Sequence, residues 1–295
     1  MALVINNNLM AMNASRNLGS AFGDLETSTR RLSSGLRITQ SSDDAAGLAI
    51  RELMRADISS LNQGIRNAND AISLIQTADG ALGIIDEKLI RMKELAMQAS
   101  TGTYNSDQRL IIDSEYQAMA SEITRIANST DFNGIYLLNG NLSASTHSGA
   151  GLQSTGKLKV HFGAGNDSSE DYYYIQINES TASALGVGLA SGTGAGASIS
   201  TQQLAQQSLD ALTDAIISKD KIRANLGALQ NRLENTVTVL EIQAENIQAA
   251  ESRISDVDVA TEMTEFVRNQ IKTQAAVSML SQANSLPRMA LSLIG

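Results

Sequence analysis

Apolar positions return every seventh residue over long stretches of this chain. One row reads Leu61, Ala68, Ile75, Leu82, Leu89 and Ala96, with Ile58, Ile65 and Ile72 beside it. Another reads Leu226, Leu233, Leu240, Ile247 and Ile254, with Ile222 and Leu229 beside its start. Sevenfold spacing keeps a stripe on one side of an α-helix, so each row predicts a helix laid along a helical neighbour. From Asp44 to about Ala99 no proline intervenes, and at 1.5 Å per residue such a helix is roughly 80 Å long. Steps of four and three through Ile112, Tyr116, Met119, Ile123 and Ile126 predict a shorter helix, entered through STGTYNSD and left at NSTDFNG. Near the amino terminus Val4, Ala11, Leu18, Leu25 and Leu32 form a row of their own, with Leu9 and Phe22 in adjacent rows, and Gly35 is placed to cap that helix.

Between the first two helices lies RLSSGLRITQSSDDAAGLAIRELM, a stop followed by a restart. Ser41 or Ser42 can cap the new helix, and Asp43 and Asp44 fall where the helix dipole favours negative charge. ISDVDVATE, Ile254 to Glu262, mirrors this joint, and the last helix is expected to run to about Ser285, ahead of Pro287. The middle has a different period. Leu158, Val160 and Phe162 alternate, as do Tyr173, Ile175 and Ile177, which predicts a β-hairpin with one face covered. GVGLASGTGAGASIS, Gly186 to Ser200, reads as a flexible connector. The expected fold is mainly α: long antiparallel helical rods and a terminal coiled coil, with a small β-hairpin region. Residues 1–40 with 256–295 make the terminal coiled-coil domain. Residues 41–255 make the helical rod domain, including the hairpin region at about 132–178 and the connector at about 179–199.

Charge changes this picture at the ends. The first 23 residues hold one charged side chain, Arg16, and the last 25 hold only Lys272 and Arg288. An amphipathic helix ordinarily shows water a charged face. Here the backs of the helices are Asn, Gln, Ser, Ala and Met. Fixing a residue costs about 1–2 kcal/mol of backbone entropy, and one narrow stripe does not offset that, so the ends are expected to order by packing against copies of the chain.

Composition narrows the chemistry. Hydrophobic content of 42% with only 3% aromatics suits narrow helix seams. The net charge of −9, with no basic stripe, argues against nucleic acid and against an anionic membrane surface. No apolar run of about 18 residues is present to span a bilayer, and MALVINNNLMAMNAS lacks the pattern of a secretory signal peptide. Without cysteine there is no disulfide, thiolate metal site or thiol catalysis. His147 and His161 have no second ligand at metal spacing and no HExxH helix exists; GTGAGA fits neither phosphate-loop pattern; Asp167, Glu170 and Asp171 lack the spacing of a calcium loop. No enzyme, metal or cofactor is expected.

Long stretches of the chain resemble bacterial flagellin: INNNLMAMNA and LETSTRRLSSGLRITQSSDDAAGLAI at the start, QGIRNANDAISLIQTADGAL and LIRMKELAMQA in the long helix, RISDVDVATEMTEFVRNQI and QANSLPRMALSLIG at the finish. The resemblance covers nearly everything outside about 140–200. It implies a homo-oligomer, a helical filament of many copies serving motility, whose terminal helices form an inner coiled coil lining a channel. Val4, Leu18, Leu25, Leu32, Val277, Leu280 and Leu291 are then the assembly seam. LKVHFGAGNDSSEDYYYIQIN looks like the family's outer hairpin, which is linked to switching between filament shapes. The short connector implies a form without outer variable domains. The resemblance also implies export, unfolded, through the flagellar secretion apparatus to the extracellular flagellum. The implied partners are an export chaperone at the carboxy-terminal helix and the filament cap and junction proteins. A hook–filament junction protein is the nearest alternative. LIRMKELAMQA and DSEYQ further resemble the flagellin surface recognised by Toll-like receptor 5. Arg91, Leu95 and Glu115 match its arginine, leucine and glutamate, and a secreted receptor ligand is the alternative from another class.

Overall fold

A computed structural model of the chain describes residues 8–148, 156–167, 170–188 and 195–294, with 286–294 described by backbone alone. Helices α1 (Leu9–Ser34), α2 (Ala45–Ser100), α3 (Ser106–Ser129), α4 (Gln202–Ser255) and α5 (Val259–Ile294) carry most of it. Two small antiparallel hairpins, β1 (Asp131–Phe132) with β2 (Ile135–Tyr136) and β3 (Leu158–His161) with β4 (Tyr172–Ile175), follow α3. The chain divides into two compact units, Met1–Ile58 with Glu245–Gly295, and Ser59–Ala244. The expected boundary at 40 and 256 therefore moves inward along both helices.

Within Ser59–Ala244 the predicted rows are the core. Leu61, Ala68, Ile75, Leu82, Leu89 and Ala96 are all buried, as are Leu226, Leu233 and Leu240 on α4 and Ile112, Tyr116, Ile123 and Ile126 on α3. Ionic contacts set α2 against α4: Arg223 Nε donates to Asp79 at 2.7 Å, and the buried Lys219 ammonium lies 2.6 Å from Asp86 and 2.6 Å from Asp220. Burying an ammonium is tolerated only with carboxylates beside it, which is why such a contact fixes a geometry more than it adds stability. Asn105 opens α3 with a capping box to Gln108.

The β3–β4 register pairs Leu158 with Ile175, Lys159 with Tyr174, Val160 with Tyr173 and His161 with Tyr172. Side chains alternate across a strand. Val160, Phe162, Ile175 and Ile177 accordingly go inside. Tyr173 lies under the Arg232 guanidinium at 3.6 Å, and Tyr172 lies under the Lys159 ammonium at 3.5 Å. Gly64 on α2 admits the hairpin, since a Cβ there would collide with the Phe162 carbonyl oxygen. The β1–β2 hairpin turns through Asn133 and Gly134, both at positive φ (53° and 79°). An Asn-Gly pair between strands is a strong hairpin signal, and the sequence reading passed over it as a helix end.

Several expectations are corrected. Helix α2 starts at Ala45 with Asp44, whose Oδ1 accepts from the Gly47 N–H at 2.9 Å; neither Ser41 nor Ser42 caps it. The carboxylate of Asp43 instead accepts from the Thr39 and Gln40 N–H groups at 3.1 Å each, which folds the loop back on itself. The connector is not flexible over its described residues. Val187, Ala197 and Ile199 are buried, the Ile199 N–H donates to Asp113 at 2.7 Å, and the Tyr116 hydroxyl donates to the Gly196 carbonyl at 2.7 Å. Glycine here serves close approach: a Cβ on Gly188 would strike Ala120. Residues 189–194 lie outside the described residues. Finally, α5 runs through Pro287 to Ile294 and does not stop near Ser285.

Candidate assembly surface

Helices α1 and α5 lie antiparallel, and the joints that lead into them are tied together. Leu36 and Asp256 form an isolated β-bridge, with the Arg37 N–H donating to the Ser255 carbonyl at 2.6 Å and the Val257 N–H to the Gly35 carbonyl at 3.0 Å. Gly35 takes the left-handed conformation (φ 72°) expected of a helix-ending glycine. Asp258 opens α5 as Asp44 opens α2, its Oδ1 accepting from the Ala260 N–H at 3.0 Å. The Arg51 guanidinium is buried behind the first joint and donates to the Ile38 carbonyl at 2.7 Å. Arg30 completes this loop, bonding Thr39 at 2.8 Å and Asp43 at 3.3 Å. The N–H and hydroxyl of Thr39, the N–H of Gln40 and the Arg30 charge hold the Asp43 carboxyl below its usual range.

The seam between the two helices follows heptads on both sides: Ala11, Ala14, Leu18, Ala21, Leu25, Ser28 and Leu32 on α1; Glu262, Phe266, Asn269, Thr273, Ala276, Leu280 and Ala283 on α5. The residues most fully covered are small or polar: Ala21, Ser28, Glu262, Asn269, Thr273 and Ala283. Asn269 Nδ2 donates to Ser28 Oγ at 3.4 Å, and Arg31 reaches Glu262 at 3.6 Å. Leu18, Leu25, Leu32 and Leu280, placed in the assembly seam from sequence, are half-buried at its edges, and Val277 is exposed. Val4 and the side chain of Leu291 lie outside the described residues.

Other large apolar residues of the two helices face out. On α5, Val259, Met263, Val267 and Ile271 follow one another at four-residue steps and are 58%, 45%, 45% and 60% exposed. On α1, Leu9, Met10, Met12 and Phe22 are likewise exposed. An apolar groove of about 420 Å³ opens between the helices, bordered by Leu9, Met10, Ala276 and Met279. Single exposed hydrophobics are ordinary, but a run of large apolar side chains exposed at regular steps along a helix marks a contact surface.

Residues 5–143 match the bacterial flagellin N-terminal helical region and residues 209–294 the bacterial flagellin C-terminal helical region. The chain belongs to the bacterial flagellin family. It is thus a structural filament subunit of the flagellin type, in the short form without a variable domain. The flagellar filament 33 kDa core protein of Treponema phagedenis is 40% identical over 292 residues, which span 99% of this chain and 100% of that relative. A flagellin of Halalkalibacterium halodurans is 41% identical over the same 292 residues, and one of Bacillus subtilis 39% identical over 305, spanning 98% of this chain and 99% of the relative. Among solved structures, a putative flagellar hook-associated protein from Vibrio parahaemolyticus superposes on 72% of this chain and 100% of its own, with a TM-score of 0.55 at 14% identity, a likeness of fold alone.

The strip likened to a receptor-binding surface of flagellins lies in Ser59–Ala244. Arg91 and Glu115 are exposed and paired across α2 and α3 at 2.8 Å, and Glu94 adds a second bond to Arg91 at 3.0 Å. These bonds raise the Arg91 pKa above its ordinary value. Leu95, expected on the same face, is only 1% exposed. Four-residue spacing puts two side chains in neighbouring rows, and here the edge of the core runs between those rows. The histidines are taken up by the hairpin region: His147 Nδ1 lies 2.7 Å from the Lys157 carbonyl, and His161 stacks on Tyr172 at 5.9 Å. Asp171 accepts from the Asp167 N–H at 2.7 Å and shapes the acidic turn. Sequence reasoning missed Asn8, whose Nδ2 donates to the Ala283 carbonyl at 2.8 Å. It also missed the buried Lys219 and Arg51, because apolar periodicity does not register a charged residue turned inward.

Proposed function

We propose that this flagellin polymerises through the outward apolar face of the α1–α5 pair, the stripes of neighbouring copies covering one another to build the core of an extracellular motility filament. The supporting observation is the Val259, Met263, Val267 and Ile271 stripe: four large apolar side chains left exposed in succession along α5. Contact between unlike faces of successive copies yields an open helical polymer. On this reading the chain leaves the cell through the flagellar secretion apparatus, an export chaperone covers the carboxy-terminal helix beforehand, and cap and junction proteins bound the filament. Deleting residues 259–295 should leave a soluble helical protein that electron microscopy shows no longer forms filaments. Filaments grown from the truncated chain would refute the proposal. Long filaments grown unaided from purified full chain also separate a filament subunit from a hook–filament junction protein.

A second reading concerns the free chain as a ligand of Toll-like receptor 5, favoured by the exposed Arg91–Glu115 pair joining two helices. Arg91→Ala with Glu115→Ala should lower receptor signalling by monomer about tenfold, on the order of one charge-assisted contact. Unchanged signalling removes the assignment.

A further inference from the structure

Helix α5 contains Pro287 and is nevertheless continuous from Val259 to Ile294. Proline has no N–H, so the carbonyl four residues before it, that of Ala283, has no donor within the helix. Ala283 is buried in the seam with α1, where water does not readily supply the missing bond. The donor comes from the opposite end of the chain: Asn8 Nδ2 reaches the Ala283 carbonyl at 2.8 Å. The same amide works on its own helix, because Asn8 Oδ1 accepts from the Ala11 N–H at 3.0 Å and caps α1. One side chain thus closes the start of α1 and fills the gap that proline opens in α5.

We propose that Asn8 is a positioning residue that holds the register of α1 on α5 at the end far from the Leu36–Asp256 bridge, and that Pro287 is the feature of α5 that makes that register unique there. Backbone bonds at the Leu36–Asp256 bridge hold one end of the pair, but the seam beyond it specifies register weakly. Its covered residues are small or polar, Ala21 and Ser28 against Thr273 and Asn269, and sliding the helices by one turn brings similar residues together. The other polar contacts across it are long, 3.4 Å for Asn269 to Ser28 and 3.5 Å for Thr273 to the Ala21 carbonyl. In the described α5 only the Ala283 carbonyl faces a proline four residues on, since Pro287 is the chain's single proline. A slipped pair leaves the Asn8 amide without that acceptor and the Ala283 carbonyl without a donor. A lone buried asparagine fixing register between helices is a known use of polar groups in apolar seams. The proposal refines the assembly reading, because the register of α1 on α5 decides which apolar side chains lie side by side on the outer face.

The test exploits the absence of cysteine from the chain. Spin labels on Ser20→Cys and Ala275→Cys, both exposed, report the α1 to α5 offset in full-length protein, free and diluted with unlabelled chain into filaments. Asn8→Asp keeps an oxygen cap and loses the donor; Asn8→Ser keeps an oxygen cap without adding charge, on a side chain one bond shorter whose hydroxyl should not reach the Ala283 carbonyl; Pro287→Ala returns the missing N–H. The unaltered chain should give one distance. Both Asn8 variants should add a population displaced by about 5 Å, one helical turn. Pro287→Ala should do likewise by making the Ala283 carbonyl ordinary, and combining it with either Asn8 change should add nothing further. An unshifted distance in both Asn8 variants, or effects that add independently of Pro287→Ala, overturns the proposal. Failure of the unaltered chain to polymerise sinks the assembly reading alone, since the free-chain distances still decide register.

Discussion

Between Leu61 and Ala96 every seventh residue of α2 disappears into apolar packing, whereas between Glu262 and Ala283 the α5 residues that disappear are a carboxylate, an amide, a hydroxyl and a methyl group. Both stretches are heptad helices paired with a partner in their own unit. In Ser59–Ala244 the stripe is spent within the chain. In the α1–α5 pair the most fully covered seam positions are small or polar, Leu18, Leu25, Leu32, Phe266 and Leu280 are half-buried, and Val259, Met263, Val267 and Ile271 stay exposed. A helix with two usable faces can satisfy one neighbour inside the molecule and keep the other for a second molecule. Flagellin thus separates fold stability from polymer stability along one sequence.

The comparison breaks most visibly at Leu240, which is 6% exposed within Ser59–Ala244. Leu240→Asp should cost about 3–5 kcal/mol by burying an unpaired carboxylate, read as a fall in the thermal midpoint of free chain. An unshifted melt means that the row does not form the core. The counterpart on the terminal pair is Ile271→Ser, which removes a large apolar group with little change in helix propensity. Free-chain stability should stay within about 0.5 kcal/mol. The critical concentration for filament growth should rise about tenfold or more, because burial of such a side chain contributes roughly 1.5–3 kcal/mol. If the melt moves and assembly does not, the outer stripe is an inner one.

A smaller effect concerns acid. Asp43 is held below its ordinary pKa by the Thr39 N–H first, then by the Thr39 hydroxyl, the Gln40 N–H and Arg30, against the opposing cost of partial burial. The unfolded chain therefore takes up this proton at a higher pH than the folded one. The stabilisation is complete above the unfolded value of about 3.9 and fades as pH falls through the lower folded value. Circular dichroism from pH 6 downward should show Asp43→Asn flattening the acid limb of the Met1–Ile58 with Glu245–Gly295 unit, its loss of stability being largest near neutrality and vanishing at the acid end. An identical acid limb removes Asp43 from the joint's electrostatics.

The rows at Leu61–Ala96 and Leu226–Leu240 were legible from sequence because both their period and their partner lie within the chain. The terminal row was legible only by half. Leu18, Leu25 and Leu32 do border the α1–α5 seam, but periodicity says that a stripe exists and is silent on what covers it, so Ala21 and Ser28 at the centre went unnoticed. Ser41 and Ser42 are as good caps as Asp44 by type, and the choice was made by Asp43 binding the loop backbone. Pro287 reads as a stop in any single helix. Only the tertiary contact from Asn8 shows how its carbonyl is provided for. The connector misled through composition, because a few apolar residues among glycines, Val187, Ala197 and Ile199, are enough to anchor it on α3 and α4.

The bond from Asn8 to Ala283 spans a sequence separation of 275 residues. A chain emerging from the ribosome at about 5–20 residues per second leaves α1 waiting roughly 15–55 s for its mate. During that interval the adhesive face has only half its residues, so premature clumping meets an incomplete template. The clock that delays completion is the topology itself: whichever end appears first, the surface is finished only when the other end arrives.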